Sequence, residues 1–256
     1  MQSTKAQKKI SARMACFLMI AAVIISGIVS GVICWKQATK AAEERAAADM
    51  QTYMEEHSVT RSMTYQRLTD SWTKTLADVY GDVIFFGDSI TAGGLWEEYY
   101  PYLTPVNLGV VGDTIDGLLT RLPQIEALMC EKCFVMIGVN DLSYQYTVEA
   151  TLQKYESLLE KLAIMREDFG MQVYLQSVLP VREDVTVYSI LNQDVRQLNE
   201  GIAALAEKYS MTYIDVHSAL ADETGALDID YSFDGLHLTE NAYQLWQEIL
   251  VPYLDE

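Results

Sequence analysis

Val83-Ile84-Phe85-Phe86-Gly87-Asp88-Ser89-Ile90-Thr91 is an apolar run that breaks abruptly into Gly-Asp-Ser. Four bulky apolar residues ending at turn formers read as a buried strand, and the break leaves one serine hydroxyl at the strand's carboxyl end. Downstream, further strand candidates occur at Pro105–Leu108, Cys133–Ile137, Gln172–Ser177 and Thr212–Val216. Between them, Thr114–Met129, Val148–Phe169 and Ser189–Tyr209 carry apolar residues at helical spacing, as in Leu152, Tyr155, Leu158, Leu159, Leu162 and Ile164. A last helix is predicted over Glu240–Leu250, ended by Pro252, because proline lacks the N–H a helix interior needs. Strands alternating with helices predict a parallel sheet covered on both faces. In such sheets ligands bind outside the carboxyl ends of the strands, which is where Ser89 falls.

The other end of the chain supplies Asp234-Gly235-Leu236-His237, an acid and a histidine three residues apart ahead of the last helix. A serine, a histidine that removes its proton and an acid that orients the imidazole make up an acyl-transfer set. Two further segments end strands in the same way. In Asn107-Leu108-Gly109-Val110-Val111-Gly112-Asp113-Thr114, glycine lets a backbone N–H approach a ligand closely. In Met136-Ile137-Gly138-Val139-Asn140-Asp141, the asparagine amide can donate to the same developing negative charge.

These blocks resemble the SGNH hydrolases, also called GDSL esterases. The four residues that name that family match Ser89, Gly112, Asn140 and His237, and the resemblance spans about Gly81 to Leu254. It implies a flavodoxin-like three-layer α/β/α fold with a five-stranded parallel sheet, and a double-displacement esterase mechanism. By the same resemblance Ser89, Asp234 and His237 are the catalytic residues. The Ser89 and Gly112 amides and the Asn140 side chain then form the oxyanion hole. The mechanism so implied needs no metal or cofactor, and no cluster in the sequence has metal-ligand spacing. The first block reads Gly-Asp-Ser-Ile where the family name has leucine. The runs at 87–101 and 106–122 are most similar to lysophospholipase-like and platelet-activating-factor-acetylhydrolase-like members.

Asp113 and Trp96 are candidate substrate contacts, each with a structural alternative. Asp113 is placed to cap the following helix, and Trp96, with Tyr99 and Tyr100, either forms a sugar platform or packs inside. Arg121 fits a structural salt bridge with a loop carboxylate better than an anionic substrate. Cys130 and Cys133 form a lone Cys-x-x-Cys at the entrance to a strand, half a zinc site at most.

The chain has 256 residues, half of them hydrophobic, and a net charge of −18. Residues 14–35 carry no charge and are long enough to cross a bilayer. Lys5, Lys8, Lys9 and Arg13 precede them without an acid, which favours a cytoplasmic N-terminus. The expected organisation is therefore a cytoplasmic basic tail at 1–13, a transmembrane signal anchor at 14–35, a helical stalk at 36–74 and the hydrolase domain at 75–256. The expected location is a cell membrane spanned once, with the catalytic domain extracytoplasmic. From Lys36 onward 14 basic residues face 36 acids, a balance of −22, which argues against nucleic acid as a partner. The substrate expected is a small-molecule or glycan acyl ester, with acetyl the favoured acyl group. A lysophospholipase or thioesterase acting on longer chains, an acyltransferase and a non-catalytic binding protein are the alternatives. The oligomeric state is not legible.

Overall fold

A computed structural model describes Lys36, Lys40 and residues 63–76, 79–128 and 130–255. Helix α1 (Met63–Leu76) leads into strand β1 (Val83–Gly87), the short helices α2 (Ser89–Ala92) and α3 (Trp96–Tyr99), and strand β2 (Pro105–Gly109). Then follow α4 (Ile115–Leu128), β3 (Lys132–Met136), α5 (Val139–Ser143), α6 (Val148–Phe169), β4 (Gln172–Gln176), α7 (Asn192–Lys208) and β5 (Thr212–Ile214). The chain ends with α8 (His217–Leu220), a 3₁₀ turn at Ile229–Tyr231 and α9 (Glu240–Leu254). All strand pairs are parallel, in the order β2-β1-β3-β4-β5. That is the flavodoxin-like order, whose direction of winding reverses between β1 and β3. The expected three-layer α/β/α architecture with a five-stranded parallel sheet is therefore present.

Strand register assigns the two faces. Asn107, Phe85, Phe134 and Tyr174 lie side by side on one of them. There Phe85 stacks on Trp96 at 4.0 Å and Phe134 on Tyr174 at 4.5 Å, while Trp246 and Tyr253 of α9 meet Trp96 and Tyr174 edge-on. Such ring pairs add about 0.5–1.5 kcal/mol each beyond their buried area. The opposite face carries α4, which packs against both α1 and α6, and α6 packs in turn against α7. Helix α6 starts at Thr147, whose side chain accepts the Ala150 N–H, and stops at Gly170 with φ +70°. Most apolar positions predicted for α6 are buried, but Ile164 is 54% exposed.

Most boundaries shift by one or two residues from the sequence reading, and two helix ends shift further. Helix α7 begins at Asn192 rather than Ser189, because the Glu183 side chain accepts the Asn192 N–H at 2.6 Å and fixes the helix start there. Helix α9 continues through Pro252 to Leu254. Lys132 Nζ caps its last turn by donating to the Tyr253 and Leu254 carbonyls at 3.0 and 2.7 Å.

The membrane-anchored architecture needs correction. Among the described residues no helix is long and apolar enough to cross a membrane. Helix α6 has the length, at 22 residues, but carries charges on its solvent side, including Glu149, Glu156, Lys161 and Glu167. The segment 14–35 read as a transmembrane anchor, and the tail at 1–13, lie outside the described residues. The described residues thus supply no element for a single-pass topology or a membrane partner, and neither is carried further. Helix α1 crosses the boundary expected at residue 75.

Candidate active site

Four chain segments converge at the carboxyl ends of β1, β2 and β3. Asp88 ends the first strand and caps α2, its Oδ1 accepting the Ile90 N–H at 2.9 Å. Glycine is required before it: a Cβ at Gly87 would lie 2.2 Å from Thr91 Oγ1 and 2.4 Å from the Met136 carbonyl oxygen. Ser89 is consequently the first residue of α2, where an amide N–H has no acceptor within its own helix. Tyr243 of α9 holds this helix down by donating its hydroxyl to the Ile90 carbonyl at 2.7 Å.

Ser89 Oγ lies 3.1 Å from His237 Nε2, and His237 Nδ1 lies 2.7 Å from Asp234 Oδ2. The other carboxylate oxygen of Asp234 accepts the backbone N–H groups of Leu236 and His237 at 3.0 and 2.7 Å. Burial alone raises the Asp234 pKa, but the His237 ring and these two amides outweigh it and hold the carboxyl below the usual range. An ionised carboxylate only accepts hydrogen bonds, so Nδ1 carries the proton. Nε2 then presents its lone pair to the Ser89 hydroxyl.

Gly235 makes this tight loop possible. Its φ is +82°, and a Cβ would lie 2.7 Å from Thr186 N and 3.0 Å from the Arg182 carbonyl oxygen. Both neighbours are backbone and cannot swing aside. Gly235→Ala is expected to destabilise the fold by about 1–3 kcal/mol and to lower kcat by shifting Asp234 and His237 together. Urea unfolding and steady-state kinetics check the two parts separately.

Gly112, with φ +76°, sits in the turn after β2, and no acceptor takes its N–H among the described residues. Asn140 Nδ2 donates to the Asp113 carbonyl at 2.8 Å. One N–H of the amide thus anchors the side chain to the neighbouring loop, and the second remains for a ligand. The structure therefore brings Ser89, Asp234 and His237 into one relay, with Gly112 and Asn140 on adjoining loops.

The candidate substrate contacts Asp113 and Trp96 are placed elsewhere. Asp113 is fully buried and bonded to Arg121 and Tyr65. Trp96 is 1% exposed, donates to the Thr91 carbonyl and stacks in the core. Tyr100 is buried too, so these rings pack inside rather than forming a sugar platform. Arg121 forms the expected salt bridge with a loop carboxylate, at 2.5 Å from Asp113. Cys130 and Cys133 are free and buried at the amino end of β3, and burial pushes the Cys130 thiol up to about 12. Among the described residues no group of three His, Cys, Asp or Glu side chains is placed to hold a metal ion.

Two features escaped the sequence reading. Asp141 is fully buried, and its Oδ2 accepts the Ile115 N–H at 3.1 Å, closing the start of α4. Its position directly after Asn140 was the available signal. Burial pushes its pKa up to about 7, so the folded protein retains a proton that the unfolded chain releases near pH ~4. Stability therefore falls as pH rises from about 4 to about 7. Asp141→Asn keeps the acceptor and removes the ionisation. It is expected to raise Tm at about pH 8 and leave it nearly unchanged at about pH 5, as scanning calorimetry can check. The other feature is a cleft of about 870 Å³ between the loops after β3 and β4. Its wall includes Leu142, two residues beyond Asn140, and Thr186, which touches Gly235. Cleft linings assemble from loops that share no pattern along the chain.

The sequence profile of the GDSL-like Lipase/Acylhydrolase family matches residues 85–245. Curated relatives include an N-acylneuraminate cytidylyltransferase of Streptococcus agalactiae, 28% identical over 173 residues. That match covers 68% of this chain and 38% of the relative's length. The platelet-activating factor acetylhydrolase IB subunit alpha2 of Rattus norvegicus is 24% identical over 166 residues, covering 63% of this chain and 71% of its own. Among solved structures, a Streptococcus pneumonia protein assigned as a platelet activating factor superposes with a TM-score of 0.67. It is 28% identical, over 75% of this chain and 94% of that one. An acetylxylan esterase from Geobacillus stearothermophilus shares the fold at a TM-score of 0.55 and 19% identity, covering 68% of this chain and 94% of its own. With the profile spanning most of the chain, the protein belongs to the GDSL-like Lipase/Acylhydrolase family.

Proposed function

We propose that the chain is a serine esterase that removes short acyl groups, acetyl first among them, from uncharged polar alcohols such as sugar hydroxyls. The observation that carries this reading is the relay Ser89 Oγ–His237 Nε2 and His237 Nδ1–Asp234 Oδ2, at 3.1 and 2.7 Å. In the mechanism proposed, Ser89 Oγ attacks the ester carbonyl as its proton passes to His237 Nε2. The Asp234 carboxylate steadies the imidazolium. The oxyanion receives the Ser89 and Gly112 amides and the free N–H of Asn140. The same proton leaves with the alcohol, and the acyl group remains on Ser89. Water then attacks the acyl group as its proton passes to His237, which returns it to Ser89 Oγ as the acyl–oxygen bond breaks and the carboxylic acid leaves.

The choice of alcohol draws on the cleft of about 870 Å³ whose wall reaches Leu142, two residues beyond Asn140, a volume ordinary for small-ligand binding. Gln145, Thr147, Tyr188 and Gln197 line it together with the carboxylates Glu149, Glu183 and Asp194, and no lysine or arginine does. Amides, hydroxyls and carboxylates hydrogen-bond sugar hydroxyls, and a wall with three carboxylates disfavours phosphate or uronate groups. The acetylxylan specificity of the structural relative agrees with a short acyl group on a glycan.

Longer acyl chains form a second reading, favoured by one observation. Val111 and Phe233, beside Gly112 and Asp234, are 71% and 72% exposed and offer apolar surface at the site's edge. The deciding experiment compares p-nitrophenyl acetate, butyrate, octanoate and palmitate, using the full chain and its Ser89→Ala variant. Turnover that depends on Ser89 and falls from acetate to octanoate supports the proposal. A rise with chain length replaces it with the lipid reading. Equal turnover by both proteins removes Ser89 from the chemistry.

A further inference from the structure

The segment matched by the family profile begins at residue 85, yet a side chain twenty positions earlier reaches into the site's support. Tyr65 on α1 is buried, and its hydroxyl donates to Asp113 Oδ1 at 2.8 Å. Asp113 stands between the two proposed oxyanion donors. It follows Gly112 in sequence, and its backbone carbonyl receives Asn140 Nδ2 at 2.8 Å. Its other carboxylate oxygen takes Arg121 Nε and Nη2 at 2.9 and 2.5 Å. Arg121 is itself buried beneath the sheet's end, donating to the Leu108 carbonyl at 2.9 Å and the Gly87 carbonyl at 3.2 Å. Its guanidinium rests 4.7 Å from the centre of the Phe86 ring.

These contacts form one connected set. Arg121 ties together the ends of β1 and β2, Asp113 ties the Gly112 loop to Arg121, and Tyr65 closes the set from α1. Asp113 Oδ1 also accepts the Thr114 N–H at 3.1 Å, a bond within its own turn that moves with the loop, so among these contacts the Tyr65 hydroxyl is the tie that reaches Oδ1 from another element. Bonded on both sides, the Asp113 carboxylate fixes the rotation of the 112–113 peptide, and with it the Gly112 N–H and the carbonyl that aims Asn140. We infer that Tyr65 is a positioning residue for the oxyanion site, through which helix α1 holds the Gly112 loop and the Asn140 amide in reactive geometry. The inference rests on the proposed roles of Gly112 and Asn140. It predicts that α1 is part of the catalytic unit although it precedes the family's matched segment.

Tyr65→Phe keeps the ring and removes one hydroxyl, so the fold should survive. The full chain carrying it is expected to lose roughly three- to tenfold in kcat on p-nitrophenyl acetate, the scale of one hydrogen bond, with KM little changed. Binding of a boronic acid, which mimics the tetrahedral intermediate on serine, should weaken by the same factor. On an Asn140→Ala background the Tyr65→Phe loss should shrink, because the group it positions is gone. A kcat within twofold of the parent, a loss confined to KM, or a full further loss on the Asn140→Ala background would each overturn the inference. Failure of the underlying reading is distinguishable, since Asn140→Ala alone would then keep the parent's kcat, or activity would persist in Ser89→Ala.

Discussion

Ser89→Ala is expected to reduce kcat on p-nitrophenyl acetate by ~10⁴–10⁶, with the folded structure and Tm retained. Among the described residues the hydroxyl is the hydrogen-bond partner of His237 Nε2, at 3.1 Å, and alanine leaves nothing to attack the carbonyl. The remaining amides still bind an oxyanion, so a residue of activity above the uncatalysed rate should persist. His237→Ala should fall nearly as far, because the serine proton then has no acceptor. The double variant should be little worse than either single one, since the two groups act as one unit. Additive losses would mean that Ser89 and His237 serve separate steps, which the hydrogen bond between them argues against.

The next largest effect expected is at Asn140. Asn140→Ala should lower kcat by about 10²–10³ while KM changes little, the signature of a donor that acts in the transition state rather than on bound substrate. Asn140 can do this because its amide is already anchored to the Asp113 carbonyl at 2.8 Å, so aiming the remaining N–H costs no reorganisation. Asn140→Asp removes both donors and places a negative charge where the oxyanion forms, and it should be at least as damaging as alanine. Equal changes in KM and in kcat/KM, with kcat preserved, would assign Asn140 to substrate binding instead.

The fold and the site were legible in the sequence to different degrees, for physical reasons that particular residues illustrate. Parallel strands buried on both faces must be apolar throughout, so Val83–Phe86 and Cys133–Ile137 stood out as continuous runs. The turns that end them need special residues, and Gly-Asp-Ser, Gly-Asp and Asn-Asp marked the strand ends just as clearly. Asp234 and His237 were readable because three residues suffice to bring an acid under its own histidine. What a side chain faces across the fold was less readable. Asp113 stands next to a proposed oxyanion donor in sequence, yet it points inward to Arg121 and Tyr65. Trp96 sits among tyrosines that resemble a surface platform, yet it is buried and stacks on Phe85 in the core. The start of α7 depended on Glu183, nine residues away on a loop, and propensity along the helix cannot report that. The Tyr65 contact joins residues 48 positions apart, beyond the reach of any local pattern.

The membrane topology was drawn from residues 1–35, outside the described structure, and no described helix supports it. The proposed chemistry does not depend on it: the relay, the proposed oxyanion donors and the cleft all lie between residues 87 and 238.

The most direct test of the central claim is covalent. The full chain is incubated with a fluorophosphonate, which forms a stable tetrahedral adduct on an activated serine, and is then digested and sequenced by mass spectrometry. The account predicts one adduct, on Ser89, formed in step with loss of esterase activity, absent from Ser89→Ala and strongly slowed in His237→Ala. An adduct on another residue that tracks the loss of activity, or complete inactivation with Ser89 unmodified, would contradict it.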